Sequence, residues 1–168
     1  TCSFSVTVTD DENPTIICPS NITQTADPEV CEAVVTVPVP QTNDNCGVQS
    51  VTNSYNGTAD ASGTYPVGTT TVTYTITDIH GNSTTCSFSV TVTDDENPTI
   101  ICNRDISVNN DAGVCGAIVS YNPPFVNDNC GVQSTIQIAG LPTGSLFPIG
   151  ITTNTFVVTD IYGNTDTC

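Results

Sequence analysis

The chain has almost no positive charge. Arg104 is the one Lys or Arg in 168 residues, against 17 Asp and Glu, and the formal net charge is −16. Nucleic acid needs several Lys/Arg contacts to phosphate, so the composition argues against it as a partner. The same shortage argues against anionic membrane surfaces. No apolar run approaches the roughly 18 residues that a spanning helix requires, so direct membrane insertion is not expected. Met and Trp are absent, and His80 is the one histidine. The lack of an initiator Met or a signal-like start leads us to expect a mature fragment or an internal slice of a longer protein. No Cys-x-x-Cys pair occurs and a single His adds one ligand at most, so a zinc site is unsupported.

What is present points to strands and disulfides. Thr and Val together make up nearly a third of the chain, and β-branched residues favour a pleated, half-buried surface. Nine cysteines without metal-ligand spacing suggest a disulfide framework in an oxidising, extracellular setting.

The chain also repeats itself. Residues 1–18, TCSFSVTVTDDENPTIIC, recur letter for letter at 85–102, and NDNCGVQS at 43–50 recurs at 127–134. Cys2, Cys18, Cys31 and Cys46 map onto Cys86, Cys102, Cys115 and Cys130 in the same register. TDIHGNSTTC at 77–86 returns as TDIYGNTDTC at 159–168, so a two-residue deletion lies between Ser134 and Ile151. A period of this length is that of a whole domain. The expected boundaries are 1–10 as the last strand of a preceding domain, 11–94 as a complete domain, and 95–168 as a second domain without its last strand.

Strand signals are clear within the period. In Cys86–Asp94, Phe88, Val90 and Val92 alternate with Ser87, Ser89, Thr91 and Thr93, the pattern of a half-buried antiparallel strand. Further strands are expected at Thr15–Ile17 with Ile22–Thr25, Glu32–Pro38, Val48–Ser54, Thr64–Val67 and Thr69–Thr77. Turn signals separate them at roughly 8–12 residues, and no window has helical periodicity. About seven short strands per period predict an all-β chain of tandem immunoglobulin-like sandwiches.

DDENPTIIC, the run Val30-Cys31-Glu32-Ala33-Val34-Val35, NDNCG, the Tyr65–Tyr74 segment YPVGTTTVTY, TDIHGN and TCSFSVTVTD carry a resemblance. The chain resembles tandem HYR (hyalin-repeat) domains along essentially all of its length. Thr-rich arrays of this kind are similar to those in long secreted surface proteins of Bacteroidota, including gliding-motility adhesins. The resemblance implies an immunoglobulin-like fold, an adhesive or structural role outside the cell, and no enzymatic activity.

Four cysteines per unit allow three pairings. The expected set is Cys18–Cys31 and Cys46–Cys86, then Cys102–Cys115 and Cys130–Cys168. Cys2 would pair with a residue outside this segment. The first bridge closes a short loop; the second ties a loop to the start of the last strand, its neighbour in an immunoglobulin-like topology.

The carboxylates cluster too. Asp94, Asp95 and Glu96 should meet Asp128 and Asp160 at a domain junction, and Asp10, Asp11, Glu12, Asp44 and Asp78 should form the equivalent group. Ca²⁺ takes six to eight oxygen ligands, so a calcium ion could bind there. Turn formation by Asp and Asn is the competing account.

Catalysis has little support. His80 is replaced by Tyr162 in the second repeat, so no shared Ser-His-Asp site exists. The Thr rows at Thr71, Thr73, Thr75 and Thr77 read as a solvated strand face. Asn21, Asn56 and Asn82 fit the N-glycosylation pattern.

The expected role is a structural repeat segment of an extracellular adhesive filament or stalk. A surface-binding module recognising glycans or another cell-surface protein is the alternative, with Tyr55 and Tyr121 as candidates for an exposed aromatic cluster. Expected partners are further copies of the repeat in cis, other filament chains and surface glycans. A third reading has residues 1–10 completing a neighbouring chain's sandwich. Competition between Cys168 and an incoming Cys2 for Cys130 argues against it.

Overall fold

A computed structural model describes residues 1–168. The chain is all-β and forms two compact immunoglobulin-like units. One comprises Thr1–Asp27 and Glu32–Thr93, the other Pro28–Cys31 and Asp94–Cys168.

The first unit contains β1 (Thr15–Ile17), β2 (Ile22–Thr25), β3 (Glu32–Val35), β4 (Gln41–Asn43), β5 (Val48–Asn53), β6 (Gly63–Pro66), β7 (Gly68–Asp78) and β8 (Ser83–Thr93). One sheet has the order β2-β8-β7-β5; β3 pairs with β6, and β1 with β4. β7 and β8 form a long antiparallel hairpin from Gly68↔Val92 to Thr77↔Ser83. β2 runs parallel to the far half of β8, Ile22↔Val90 through Thr25↔Thr93.

The period-2 pattern sets what is inside. Val72, Tyr74, Phe88, Val90 and Val92 point from β7 and β8 into one core with Ala33, Val35, Val37, Ala61 and Tyr65. Tyr65 is fully buried, and its hydroxyl donates to Ala61 O at 2.6 Å, so its polar tip is satisfied. The intervening Thr and Ser stay partly or fully exposed, with Thr73 Oγ1 and Ser87 Oγ 2.8 Å apart across the hairpin. Tyr55 is not an exposed anchor: it stacks on Tyr65 at 4.2 Å between ring centroids.

The second unit contains β9 (Thr99–Ile101), β10 (Gly116–Val119), β11 (Phe125–Asn127), β12 (Val132–Ala139), β13 (Ser145–Pro148), β14 (Thr155–Asp160) and β15 (Thr165–Thr167). β9 pairs with β11, β10 with β13, and β12-β14-β15 form the third sheet. The core is thinner, with Ile100, Ala117 and Val158 buried. Tyr121 packs edge-on against Phe147 and Phe156, so it too belongs to the packing.

The disulfides correct the expected pairing. The bridges are Cys18–Cys86, Cys31–Cys130 and Cys102–Cys168, while Cys2, Cys46 and Cys115 are free and exposed. Cys18 follows β1 where the chain crosses from the β4 pairing to the β8 pairing. The bridge to Cys86 fastens that crossover to β8, and Ser89 N donates to Asn21 Oδ1 beside it at 2.9 Å. Cys102–Cys168 repeats the arrangement. Cys31 is turned away from Cys18 because Pro28–Cys31 belongs to the second unit. There Glu29, with φ 64°, donates its N–H to Glu96 Oε2 at 3.0 Å, and Val30 O accepts from Asn129 Nδ2 at 3.2 Å.

A peptic digest of the non-reduced protein should therefore yield a Cys18–Cys86 peptide pair; a Cys18–Cys31 pair would contradict the fold. Cys86→Ser should destabilise the first unit by about 4 kcal/mol, read from the denaturant midpoint, because the bridge closes a long loop.

Candidate functional site

Two clusters of three carboxylates stand out. Asp10, Asp44 and Asp78 form one within the first unit; Asp94, Asp128 and Asp160 form the other within the second. In each, carboxylate oxygens of all three lie within 4.8 Å of one another.

Local turns place every member. Asp78 ends β7 and is fully buried. Its Oδ1 accepts from the N–H groups of His80 (2.8 Å) and Asn82 (2.9 Å), and Oδ2 accepts from Asn82 Nδ2 (2.7 Å). Gly81, at φ 96°, supplies the left-handed residue that lets the chain return. Asp160 repeats the arrangement with Tyr162, Gly163 and Asn164 at 2.6–2.8 Å. The motif Asp-Ile-x-Gly-Asn is thus a hairpin turn organised by a buried carboxylate.

Asp44 and Asp128 organise a second turn type. Asp44 Oδ1 accepts from Cys46 N and Gly47 N, and Asp128 Oδ1 from Cys130 N and Gly131 N, at 2.7–2.9 Å. Their other oxygens are buried without a hydrogen-bond partner, as are Asp94 Oδ2 and Asn129 Oδ1. Asp10 is engaged differently, because its Oδ2 lies 3.1 Å from His80 Nδ1. Tyr162 occupies the position of His80 in the second repeat, so Asp94 has no such partner. Sequence reasoning dismissed His80 as unshared and missed this contact; only the fold brings His80 and Asp10 together.

The structure leaves out four of the expected ligands. Asp11, Glu12, Asp95 and Glu96 are exposed and outside both clusters. Each acidic run contributes only its first Asp, and Glu96 instead accepts from Glu29 N.

Burial pushes Asp78 and Asp160 upward. The hydrogen bonds from Asn82 or Asn164 and from the turn N–H groups outweigh it and hold both carboxyls below the ordinary range. Asp10 is also lowered, first by the N–H of Glu12. Hydrogen bonding to Asp10 and burial push the Cys46 thiol up.

Residues 9–92 and 93–168 each match the family described as HYR domain. The chain belongs to the HYR domain family. Its two HYR segments are 34% identical over 172 residues to hyalin of Strongylocentrotus purpuratus, covering 98% of this chain and 14% of that protein. They are 35% identical over 133 residues to hyalin of Lytechinus variegatus, covering 77% of this chain and 24% of that protein. A 33% identity over 162 residues links them to the Sushi, von Willebrand factor type A, EGF and pentraxin domain-containing protein 1 of Rattus norvegicus, covering 95% of this chain and 4% of that protein. The HYR pair thus spans under a quarter of the length of each of these relatives.

The lowered carboxyls set a pH dependence. A carboxyl whose folded pKa lies below its unfolded value stabilises the fold above the unfolded value and stops doing so as pH falls through the folded one. The melting temperature should be flat down to about pH 5 and fall steeply below pH 3.8, the unperturbed Asp value. Asp78→Asn with Asp160→Asn should lower it at neutral pH and flatten the acid limb.

Proposed function

We propose that this chain is a structural repeat segment of an extracellular adhesive filament or stalk, and that it has no enzymatic role. The observation that carries this reading is that HYR segments tile the chain, with equivalent bridges, Cys18–Cys86 and Cys102–Cys168, fastening each. Disulfides persist in oxidising compartments, which supports a secreted location. Near-absence of Lys and Arg removes sites for trypsin-like cleavage. Antibodies raised against the chain should label the outer surface of unpermeabilised producer cells, and their Fab fragments should reduce attachment. Labelling that appears only after permeabilisation would overturn the reading.

We also infer that the carboxylate clusters take Ca²⁺. The donor set fits: Asp94 Oδ2, Asp128 Oδ2 and Asn129 Oδ1 are hard oxygen atoms, buried and unpartnered. Three carboxylates this close repel without a cation. The second-unit cluster is the better of the two, since His80 already engages Asp10 in the first. Calcium binding should raise the melting temperature, by an amount equivalent to about 2.7 kcal/mol at a hundredfold excess over Kd. Asp128→Ala should abolish the increment of the second unit. A chain whose melting is unchanged by millimolar Ca²⁺ and by chelator has no such site.

A further inference from the structure

The second unit holds a segment from outside the second repeat. Pro28–Cys31 lies in the first repeat of the sequence, yet it belongs to the second unit. Cys31 is bonded to Cys130, with 4.7 Å between their Cα atoms. Val30 O accepts from Asn129 Nδ2 at 3.2 Å, and Glu29 N donates to Glu96 Oε2 at 3.0 Å. Glu29 sits at φ 64°, a left-handed conformation that residues with a side chain rarely adopt. Pro28, Glu29 and Val30 are exposed. Hydrogen bonds open to water contribute little, so the bridge is the tie that keeps the segment in place.

What the segment engages is the side chain of Asn129. An Asn amide has two N–H donors on Nδ2 and an acceptor oxygen. Here Nδ2 donates to Val30 O and to Asp94 Oδ1, the second at 3.3 Å. Two acceptors on that side settle which way the amide lies, because the flipped form would set oxygen against oxygen. Asn129 Oδ1 is left buried and without a partner, as are Asp94 Oδ2 and Asp128 Oδ2. Through Asp94, the amide lies against the cluster of Asp94, Asp128 and Asp160.

The first unit carries the same five residues without the clamp. Asn43–Gly47 is identical to Asn127–Gly131, but no bridge ties it to a segment like Pro28–Cys31. There Asn45, the repeat equivalent of Asn129, is exposed, whereas Asn129 is half-buried. The local sequence alone therefore does not fix this amide; the bridged segment does.

We propose that Pro28–Cys31 is a working part of the calcium site of the second unit. Held by the Cys31–Cys130 bridge, it orients the Asn129 amide so that Oδ1 is a ligand beside the carboxylates of Asp94, Asp128 and Asp160. The proposal rests on the calcium reading above and adds what sets the affinity of that site. Asn129 is the ligand; Val30 and Cys31 are positioning residues that act through it. An amide oxygen adds a hard donor without a further negative charge, which suits a place where three carboxylates already repel. Groups that orient a ligand commonly set metal affinity by roughly ten- to a hundredfold. The site thus depends on residues outside 93–168, the stretch that matches the HYR family.

The test is a CaCl₂ titration of the full chain, followed by NMR at the backbone amides of Gly131 and Gly163. These N–H groups donate to Asp128 Oδ1 and Asp160 Oδ1, so their resonances report the second unit. Gly47 donates to Asp44 Oδ1 and reports the first. Every chain carries Cys2→Ser, Cys46→Ser and Cys115→Ser, so that free thiols cannot exchange with the bridge. Adding Cys31→Ser with Cys130→Ser should raise the Kd read at Gly131 and Gly163 by roughly tenfold or more and leave the response of Gly47 unchanged. Asn129→Ala, which keeps the bridge, should raise it as much. The three substitutions together should raise it no further, because the bridge acts through Asn129. A bridge that merely stiffens the unit would give losses that multiply. Multiplied losses, or an unchanged Kd without the bridge, would overturn the proposal and leave the calcium reading standing. Gly131 and Gly163 resonances that ignore calcium in the bridged chain would overturn both. Should the bridge-free unit lose the dispersion of its amides, Glu29→Pro takes its place. It keeps the bridge but forbids φ 64° and removes the N–H that Glu96 accepts, and an unchanged Kd there would equally overturn the proposal.

Discussion

The two-sided hydrogen bonding of β8 is the interaction on which the first unit depends. Its near half closes the hairpin with β7, and its far half is held by β7 on one edge and β2 on the other. Because side chains alternate across a strand, this single segment delivers Phe88, Val90 and Val92 to the core while Ser and Thr face outward. Cys86 sits in the same strand and fixes the crossover before β2. Core, sheet order and covalent closure therefore converge on eleven consecutive residues. The second unit keeps the same hairpin. There β14 (Thr155–Asp160) pairs with β12 and with Thr165–Thr167, and Val158 is fully buried.

The carboxylate clusters follow from turn chemistry before any ligand is considered. Asp78 and Asp160 are buried because each satisfies the N–H groups of a tight hairpin turn, and Asp44 and Asp128 do the same for the turn before β5 and β12. Both oxygens of Asp78 and Asp160 are thus occupied, and one of Asp44 and of Asp128. What is left over is the second oxygen of Asp44 and of Asp128, held out of water without a partner. A buried, unpaired carboxylate oxygen is costly, and the cost is greater where a second carboxylate stands nearby. The turns thus position all the groups, and only Asp44 and Asp128 are left with an unpartnered oxygen by them.

Much of this was legible in the residues. Strict alternation marked β7 and β8. β4, at Gln41–Asn43, was invisible because a polar three-residue strand has no apolar period. The cysteine partners were unreadable for a different reason. Spacing favoured the short loop Cys18–Cys31, whereas the true partner of Cys18 is set by where the chain crosses between sheets, a property of the fold. The acidic runs were found by composition. That only Asp10 and Asp94 face inward depends on chain direction before the buried Pro14 and Pro98, which composition does not encode.

Net charge constrains how such a chain can associate with its like. With 17 acidic residues and one Arg, two copies repel over roughly a Debye length, about 8 Å at physiological ionic strength. Ion pairing cannot supply specificity where cations are missing. Strand pairing within each unit is made of Phe, Val and Thr, carries no charge and is indifferent to that repulsion. Its main-chain hydrogen bonds are directional, so they fix register as well as affinity. The shortage of Lys and Arg thus leaves uncharged strand pairing and disulfides, rather than ion pairs, as what holds each repeat together.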